Sequence, residues 1–314
     1  MNSRAAYAAG IAWSTIFGLS FLVTKSALEA FSPFTLLALR FGLATAALLA
    51  LSAAGILKPD FRGKPRGILV LVCLFQPILY FTSETFGVRE TSTSTAGLIL
   101  GALPAAVAAL SVPMLRERLS GARTAGLALS VAGVSLVAAA GGGGGADEPG
   151  GVLLVLGALA SAAFYNVFSR RASRFYGPVE ITLAMMASGA GFFGLAALAE
   201  RLAVGPAAPG IRPGAEAWAA VAYLGILSSV LAFFLVNLSL SRLRAAQASV
   251  FGALTPLIAL AAGVLVRGEP VSLPKAAGAA AILAGLWITN APERTAPASA
   301  GVGAAATNTE RTGA

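Results

Sequence analysis

Apolar residues fill ten long runs of the chain, and the polar residues are pushed into the short gaps between them. The runs cover about 5–23, 36–57, 67–82, 96–115, 124–140, 151–168, 181–199, 217–240, 248–266 and 276–291. A helix that crosses the hydrocarbon core needs roughly 17 to 25 largely apolar residues, and the runs meet or approach that length. Unbroken apolarity predicts helices, because barrel strands would alternate polar and apolar positions. The first run can be mistaken for a signal peptide. It contains Trp13, Phe17 and Phe21 and is followed by no convincing A-x-A exit, so it is expected to remain as a span.

Composition narrows the class further. The chain has 314 residues, 57% apolar and 11% charged, with a mean hydropathy of +0.82, which excludes both a soluble globular domain and a disordered chain. A net charge of +9 would suggest nucleic acid in a soluble domain. Here the basic residues sit between apolar runs, so they are read as topology signals and no nucleic-acid partner is expected. The lone Cys73 has no partner for a disulfide, and the absence of histidine excludes histidine-ligated metals and histidine bases. No metal or cofactor is expected.

The basic residues also orient the chain. With the N-terminus inside, the inner segments carry Arg4, Lys58, Arg62, Lys64, Arg66, Arg116, Arg118, Arg123, Arg170, Arg171, Arg174, Arg242, Arg244, Arg294 and Arg311, fifteen of the 22. The outer segments carry six, Lys25, Arg89, Arg201, Arg212, Arg267 and Lys275, and Arg40 lies within the second span. This asymmetry predicts cytoplasmic termini and an even number of spans.

An offset of 152 residues lays Pro104, Glu117, Ser120, Arg123, Gly126 and Gly133 on Pro256, Glu269, Ser272, Lys275, Gly278 and Gly285. The chain thus contains two copies of one five-helix unit, and because five is odd the second enters the membrane from the other side. The expected architecture is an all-α integral membrane protein with ten transmembrane helices in two inverted five-helix repeats. The first repeat is placed at 1–140, a Gly-rich linker at 141–150, the second repeat at 151–291 and a disordered cytoplasmic tail at 292–314. No Lys-Ser/Thr follows the linker glycines, so a phosphate loop is rejected. Residues 204–214, with three prolines, form the longest outer loop. Gly97 with Gly101, and Gly126 with Gly133, predict close helix packing within a monomer, with dimerisation as the alternative.

Polar residues inside spans mark the candidate cavity. Gln76, Tyr80 and Glu84 recur at every fourth position of the third span, and Ser229, Phe233 and Asn237 do so in the eighth. An offset of 153 superposes the two triplets, and with them Phe81 on Phe234. Polar groups in lipid are costly, so both stripes are expected to face the protein interior or water, where an inverted two-fold would oppose them. Interhelical hydrogen bonding that only holds the bundle together is the plainer alternative. Trp13, Ser14 and Phe17 on the first span, and Ser161, Phe164, Tyr165 and Asn166 on the sixth, add aromatic walls with a few polar groups, which suit a small amphipathic substrate. Pro77, Pro104 and Pro256 lie inside spans and are candidate hinges.

These residues carry a resemblance. WSTIFGLSFLVTK (13–25), Pro33 and the RFGLA beginning at Arg40 resemble the opening of an EamA-type repeat of the drug/metabolite transporter superfamily. The close of that repeat is similar to Leu103 with Pro104, Ala109 with Leu110, residues 116–119, and Gly126 and Gly133 with Val134. The second copy matches through LSRLRAA from Leu240, Thr255 with Pro256, Gly268 with Glu269, and Gly278 with Gly285, but has no lysine where the first has Lys25. The resemblance implies a ten-helix carrier of a bacterial-type inner membrane, usually an exporter of amino acids or other small metabolites, with a central cavity between the repeats. A multidrug or other metabolite carrier and a non-transporting scaffold are the alternatives. An enzyme is not expected, since no intramembrane hydrolase constellation is present. Glu84 is the one good carboxylate within a span, so facilitated diffusion or exchange fits at least as well as proton antiport, and no ATP-binding loop exists to drive transport otherwise.

Overall fold

Lipid offers the backbone no hydrogen-bond partners, so a chain of this hydropathy satisfies them internally as helices. The computed structural model describes residues 3–115, 121–141, 147–204, 213–235 and 245–290. The first copy consists of α1 (Ser3–Ala27), α2 (Pro33–Ala53), α3 (Arg66–Cys73), α4 (Tyr80–Glu90), α5 (Thr93–Gly101), α6 (Leu103–Leu115) and α7 (Gly121–Gly141). The second consists of α8 (Pro149–Ala172), α9 (Pro178–Val204), α10 (Ala215–Ala222), α11 (Ala245–Arg267) and α12 (Leu273–Asn290). Among the described residues, seven helices are long and apolar enough to cross a membrane, and Thr124–Ala140, Leu254–Arg267 and Leu273–Thr289 are shorter apolar helices. Together they account for the ten expected spans. Leu195, Leu202, Leu265 and Trp287, each at least 70% exposed, lie on the outer surface, where lipid rather than water surrounds them.

The third and eighth spans are interrupted at matching depths. Between α3 and α4 lies a π-helical segment, Leu74–Leu79, in which Gln76 leaves the helical region at φ −148°, ψ 115°. Pro77 explains the break: its ring crowds the residue before it toward extended backbone, and it has no N–H for the helical ladder. In the second copy α10 passes into another π-helical segment, Tyr223–Leu231, which continues as helix over 232–235. The fourth span divides at Ala102, with Pro104 in the first turn of α6, while Pro256 sits inside an unbroken α11. The regular four-residue stripe expected of Gln76, Tyr80 and Glu84 is therefore not one continuous helical face, because the break falls between its first two members.

The internal two-fold is visible where α7 meets α12. A Cβ at Gly133 would lie 2.7 Å from the Gly278 carbonyl oxygen, and one at Gly126 would lie 2.8 Å from the Gly285 carbonyl oxygen. The repeat equates Gly126 with Gly278 and Gly133 with Gly285, so Gly126 meets the counterpart of Gly133 while Gly133 meets the counterpart of Gly126. That reciprocity is the signature of a two-fold contact. The two helices run antiparallel, as inverted copies must, and only glycine lets their backbones approach this closely. The second spans of the two copies, α2 and α9, also pair with each other, with Phe41 and Phe193 stacked at a centroid distance of 5.4 Å.

Candidate functional site

Arg40 lies midway along α2, and burial in the bundle leaves it 4% exposed. Its Nε donates to Ser229 Oγ at 3.1 Å and its Nη2 to Ser228 Oγ at 3.2 Å. The guanidinium also lies over the ring of Phe81, 4.4 Å from its centroid. The interrupted eighth span supplies the two hydroxyls, and the continuation of the interrupted third span supplies the ring. Ser229 donates its own proton to the Leu224 carbonyl, five residues back, a bond suited to the π-helical winding there. One buried cation is thus shared between the two copies at the depth where both are irregular.

Around it are several of the residues selected from sequence. Glu84 follows Phe81 by three residues on α4, is 3% exposed, and accepts from the Thr85 hydroxyl through one carboxylate oxygen at 3.1 Å. No direct ion pair among the described residues joins Arg40 and Glu84. Tyr80 packs edge-on against Phe81 at 4.7 Å, and Tyr80 and Phe233 border the same apolar cluster of Leu37, Phe41, Phe81 and Met186. Phe233 meets Phe17 at 5.6 Å, and Phe17 meets Trp13 at 5.9 Å. Ser14 is buried beside them and donates to the carbonyls of Gly10 and Phe251, tying α1 to α11. Gln76 is buried at 7% exposure, and no described residue hydrogen-bonds its amide. The indole N–H of Trp13 is buried without a partner among the described residues.

The sixth-span residues assemble elsewhere. Ser161 donates to the Phe75 carbonyl at 2.9 Å, filling an acceptor at the proline break, and Phe164 and Phe168 stack on Phe75. Tyr165 packs beside Val72 and Tyr176, while Asn166 is exposed and turns its amide to the Ala162 carbonyl. No described contact joins this cluster to Arg40. Asn237 lies outside the described residues. The expected likeness of Phe81 and Phe234 is not kept, since Phe81 is 5% exposed and Phe234 is 63% exposed. Arg40 itself was missing from the sequence-derived site, although an arginine inside a 21-residue apolar helix was the signal for it.

A second polar centre closes the end of the bundle expected to face outward. Residues 91–95, reading TSTST, are buried where α4 gives way to the first turn of α5. Lys25, in the last turn of α1, donates to the carbonyls of Val88, Arg89 and Thr91 at 2.9, 2.8 and 2.6 Å, satisfying groups that the end of α4 leaves open. Glu269, in the turn after α11, accepts from the backbone N–H of Thr93 at 2.7 Å and of Ser94 at 2.9 Å, and also from the Ser94 hydroxyl. Gly263 leaves the space for that carboxylate, since a Cβ there would collide with it. Asp147 accepts from the Ser92 N–H and the Thr95 hydroxyl, and Lys275 reaches Asp147 at 3.7 Å and the Ser92 hydroxyl at 2.9 Å. At the opposite end Glu180 holds Lys64 at 2.7 Å and accepts from the backbone N–H groups of Asp60 and Gly177.

Ten spans in two inverted copies, interrupted around a buried charge, define a membrane carrier of the internal-repeat type. The chain belongs to the EamA-like transporter family, whose model matches residues 4–139 and 149–291. It is 34% identical over 288 residues, 91% of its length, to the uncharacterized transporter YcxC of Bacillus subtilis (strain 168), covering 92% of that protein. It is 26% identical over 284 residues to a protein of Salmonella typhimurium named "Probable amino-acid metabolite efflux pump", covering 87% of this chain and 90% of that one. A solved crystal structure superposes over 92% of the chain and 96% of its own length at a TM-score of 0.60 and 24% identity, which shows the fold alone. These likenesses mark a transporter.

Proposed function

We propose that the chain exports small amphipathic metabolites, amino acids first among them, by alternating access between its two repeats, with both termini in the cytoplasm of a bacterial-type inner membrane. The observation that carries this reading is Arg40, a buried cation held by hydroxyls of the second copy and a ring of the first, at the irregular point of both. Interrupted helices at matching places in two inverted repeats are where carriers place their substrates. The surrounding aromatics, Trp13, Phe17, Tyr80 and Phe233, provide apolar walls, and Glu84, Gln76, Ser228 and Ser229 provide polar contacts. The likeness to the Salmonella efflux pump favours amino acids.

In this reading the breaks at Pro77 and Pro104 let the halves move, and the network of Lys25, Asp147, Glu269 and Lys275 holds the outer end shut. The two copies at 1–140 and 151–291 rock about the α7–α12 contact. The test is efflux from proteoliposomes across a panel of labelled amino acids and amphipathic drugs, with and without a pH gradient. Export of amino acids is expected. Transport of drugs alone would turn the reading to a multidrug carrier, and transport of nothing in the panel would remove it.

A further inference from the structure

We infer that Arg40 and Glu84 are a divided ion pair that receives the two charged ends of an α-amino acid, the carboxylate on Arg40 and the ammonium on Glu84. The assignment rests on the exporter reading of this cluster and specifies what it recognises.

Buried charges normally meet a partner directly, because an unpaired ion in a low-dielectric interior is costly. Arg40 and Glu84 are 4% and 3% exposed, and Glu84 lies about one turn beyond Phe81, on whose ring the guanidinium rests, yet no direct ion pair among the described residues closes between them. Each is held by neutral groups that fix its direction without neutralising it. Arg40 uses Nε for Ser229 and Nη2 for Ser228, with its plane seated on Phe81. A guanidinium carries five N–H donors in a rigid fork, so the remaining donors on Nη1 and Nη2 stay available for a planar carboxylate. Glu84 engages one oxygen with the Thr85 hydroxyl, and its other oxygen has no described donor. An ammonium supplies the missing donor and positive charge.

The neighbouring polar groups point the same way. The Trp13 indole N–H is buried without a partner among the described residues, and Gln76, 7% exposed, has no described hydrogen bond to its amide. The linked rings of Trp13, Phe17 and Phe233 lead to the apolar cluster that contains Phe81 and fit an apolar side chain. A ligand carrying one charge would leave either Arg40 or Glu84 buried without a countercharge, so both charges are required together. Loss of one charge-assisted contact is expected to weaken binding by about tenfold to a hundredfold.

The experiment uses the purified full-length protein and four probes that share one side chain: phenylalanine, phenylalanine methyl ester, phenethylamine and 3-phenylpropionate. Affinities are read by competition against labelled phenylalanine in proteoliposome counterflow and by ligand-induced thermal stabilisation. For the unaltered protein the three single-charge analogues are expected to bind at least about tenfold more weakly than phenylalanine. In Arg40→Gln the preference for phenylalanine over its methyl ester should vanish, and in Glu84→Gln the preference over 3-phenylpropionate should vanish. Arg40→Lys, which keeps the charge but not the fork, should retain a reduced preference. If either glutamine variant fails to fold, the analogue series on the unaltered protein still decides. Equal binding of phenylalanine and its analogues, or a preference that survives both substitutions, overturns the divided pair while leaving an exporter. Failure of the protein to bind or move any probe, or any compound of the wider panel, removes the exporter reading and this assignment with it.

Discussion

Replacing Glu269 with alanine should loosen the first turn of α5 by a measurable and calculable amount. The carboxylate accepts from the N–H groups of Thr93 and Ser94 and from the Ser94 hydroxyl. Hydrogen bonds to a charged group contribute about 1.5–3 kcal/mol each, and a negative charge at a helix N-terminus adds about 0.3–1 kcal/mol. Glu269 is only partly buried, so water recovers part of this, and the sum is reduced to about 3 kcal/mol. At 1.4 kcal/mol per factor of ten, local opening of that turn becomes about a hundredfold more frequent. Hydrogen exchange of a peptide spanning residues 91–99, in detergent or nanodiscs, reads this directly, because the Thr93 and Ser94 amides exchange only when the turn opens. Glu269→Gln keeps an acceptor but loses the charge and should give an intermediate rise of about tenfold. Exchange in Glu269→Ala within twofold of the unaltered protein would refute the claim that this carboxylate holds the turn closed.

The remaining expectations concern other parts of the molecule. Gly133→Ala and Gly278→Ala should each lower stability in detergent by about 1–3 kcal/mol through overpacking, whereas Gly42→Ala, where a Cβ meets nothing within 4 Å, should leave the melting temperature unchanged. Tyr80→Ala and Phe233→Ala should reduce transport per folded molecule with near-normal yield; a fall in yield with unchanged specific transport would make them packing residues. A reporter fused after Thr307 should be active only in its cytoplasmic form, and activity of an export-dependent reporter at that position would reverse the orientation. Lys64→Met should free the loop around residue 60 from Glu180 and raise proteolysis there, since it removes the 2.7 Å pair; unchanged cleavage would show that the backbone N–H bonds from Asp60 and Gly177 suffice.

Much of the architecture was legible because lipid imposes one rule on every residue of a span. Continuous apolar runs sufficed for ten helices, and the match of Gly126 and Gly133 with Gly278 and Gly285 sufficed for the duplication. What periodicity misses is whatever interrupts it. Gln76 was assigned to a helical stripe because its spacing to Tyr80 is right, but Pro77 acts on the residue before it and breaks the helix at that point. Arg40 was counted as a leftover charge, since its importance comes from Ser228 and Ser229, 188 and 189 residues away. The TSTST segment and its partners Lys25, Asp147, Glu269 and Lys275 read as ordinary loop polarity, because three-dimensional convergence of caps leaves no trace in local pattern. Ser161 and Phe164 were read as walls of the same cavity as Ser14 and Phe17, yet they serve the Phe75 carbonyl and ring, a demand created by the proline break at Gln76 and Pro77.

The glycine crossing of α7 and α12 also bears on how such a chain can change. In an ordinary interface each surface varies against a different surface, and a loss on one side is compensated on the other. Here Gly126, Gly133, Gly278 and Gly285 each face backbone of the other helix as well as a side chain (Thr289, Ile282, Val137 and Ser130), so a side chain gained at any of them still meets carbonyl or amide atoms that cannot shrink in return. The crossing has the form of a homodimer contact enclosed within one polypeptide. The copies are free to diverge at Arg40, at Lys25 and across their loops, while at this seam each remains the mould of the other.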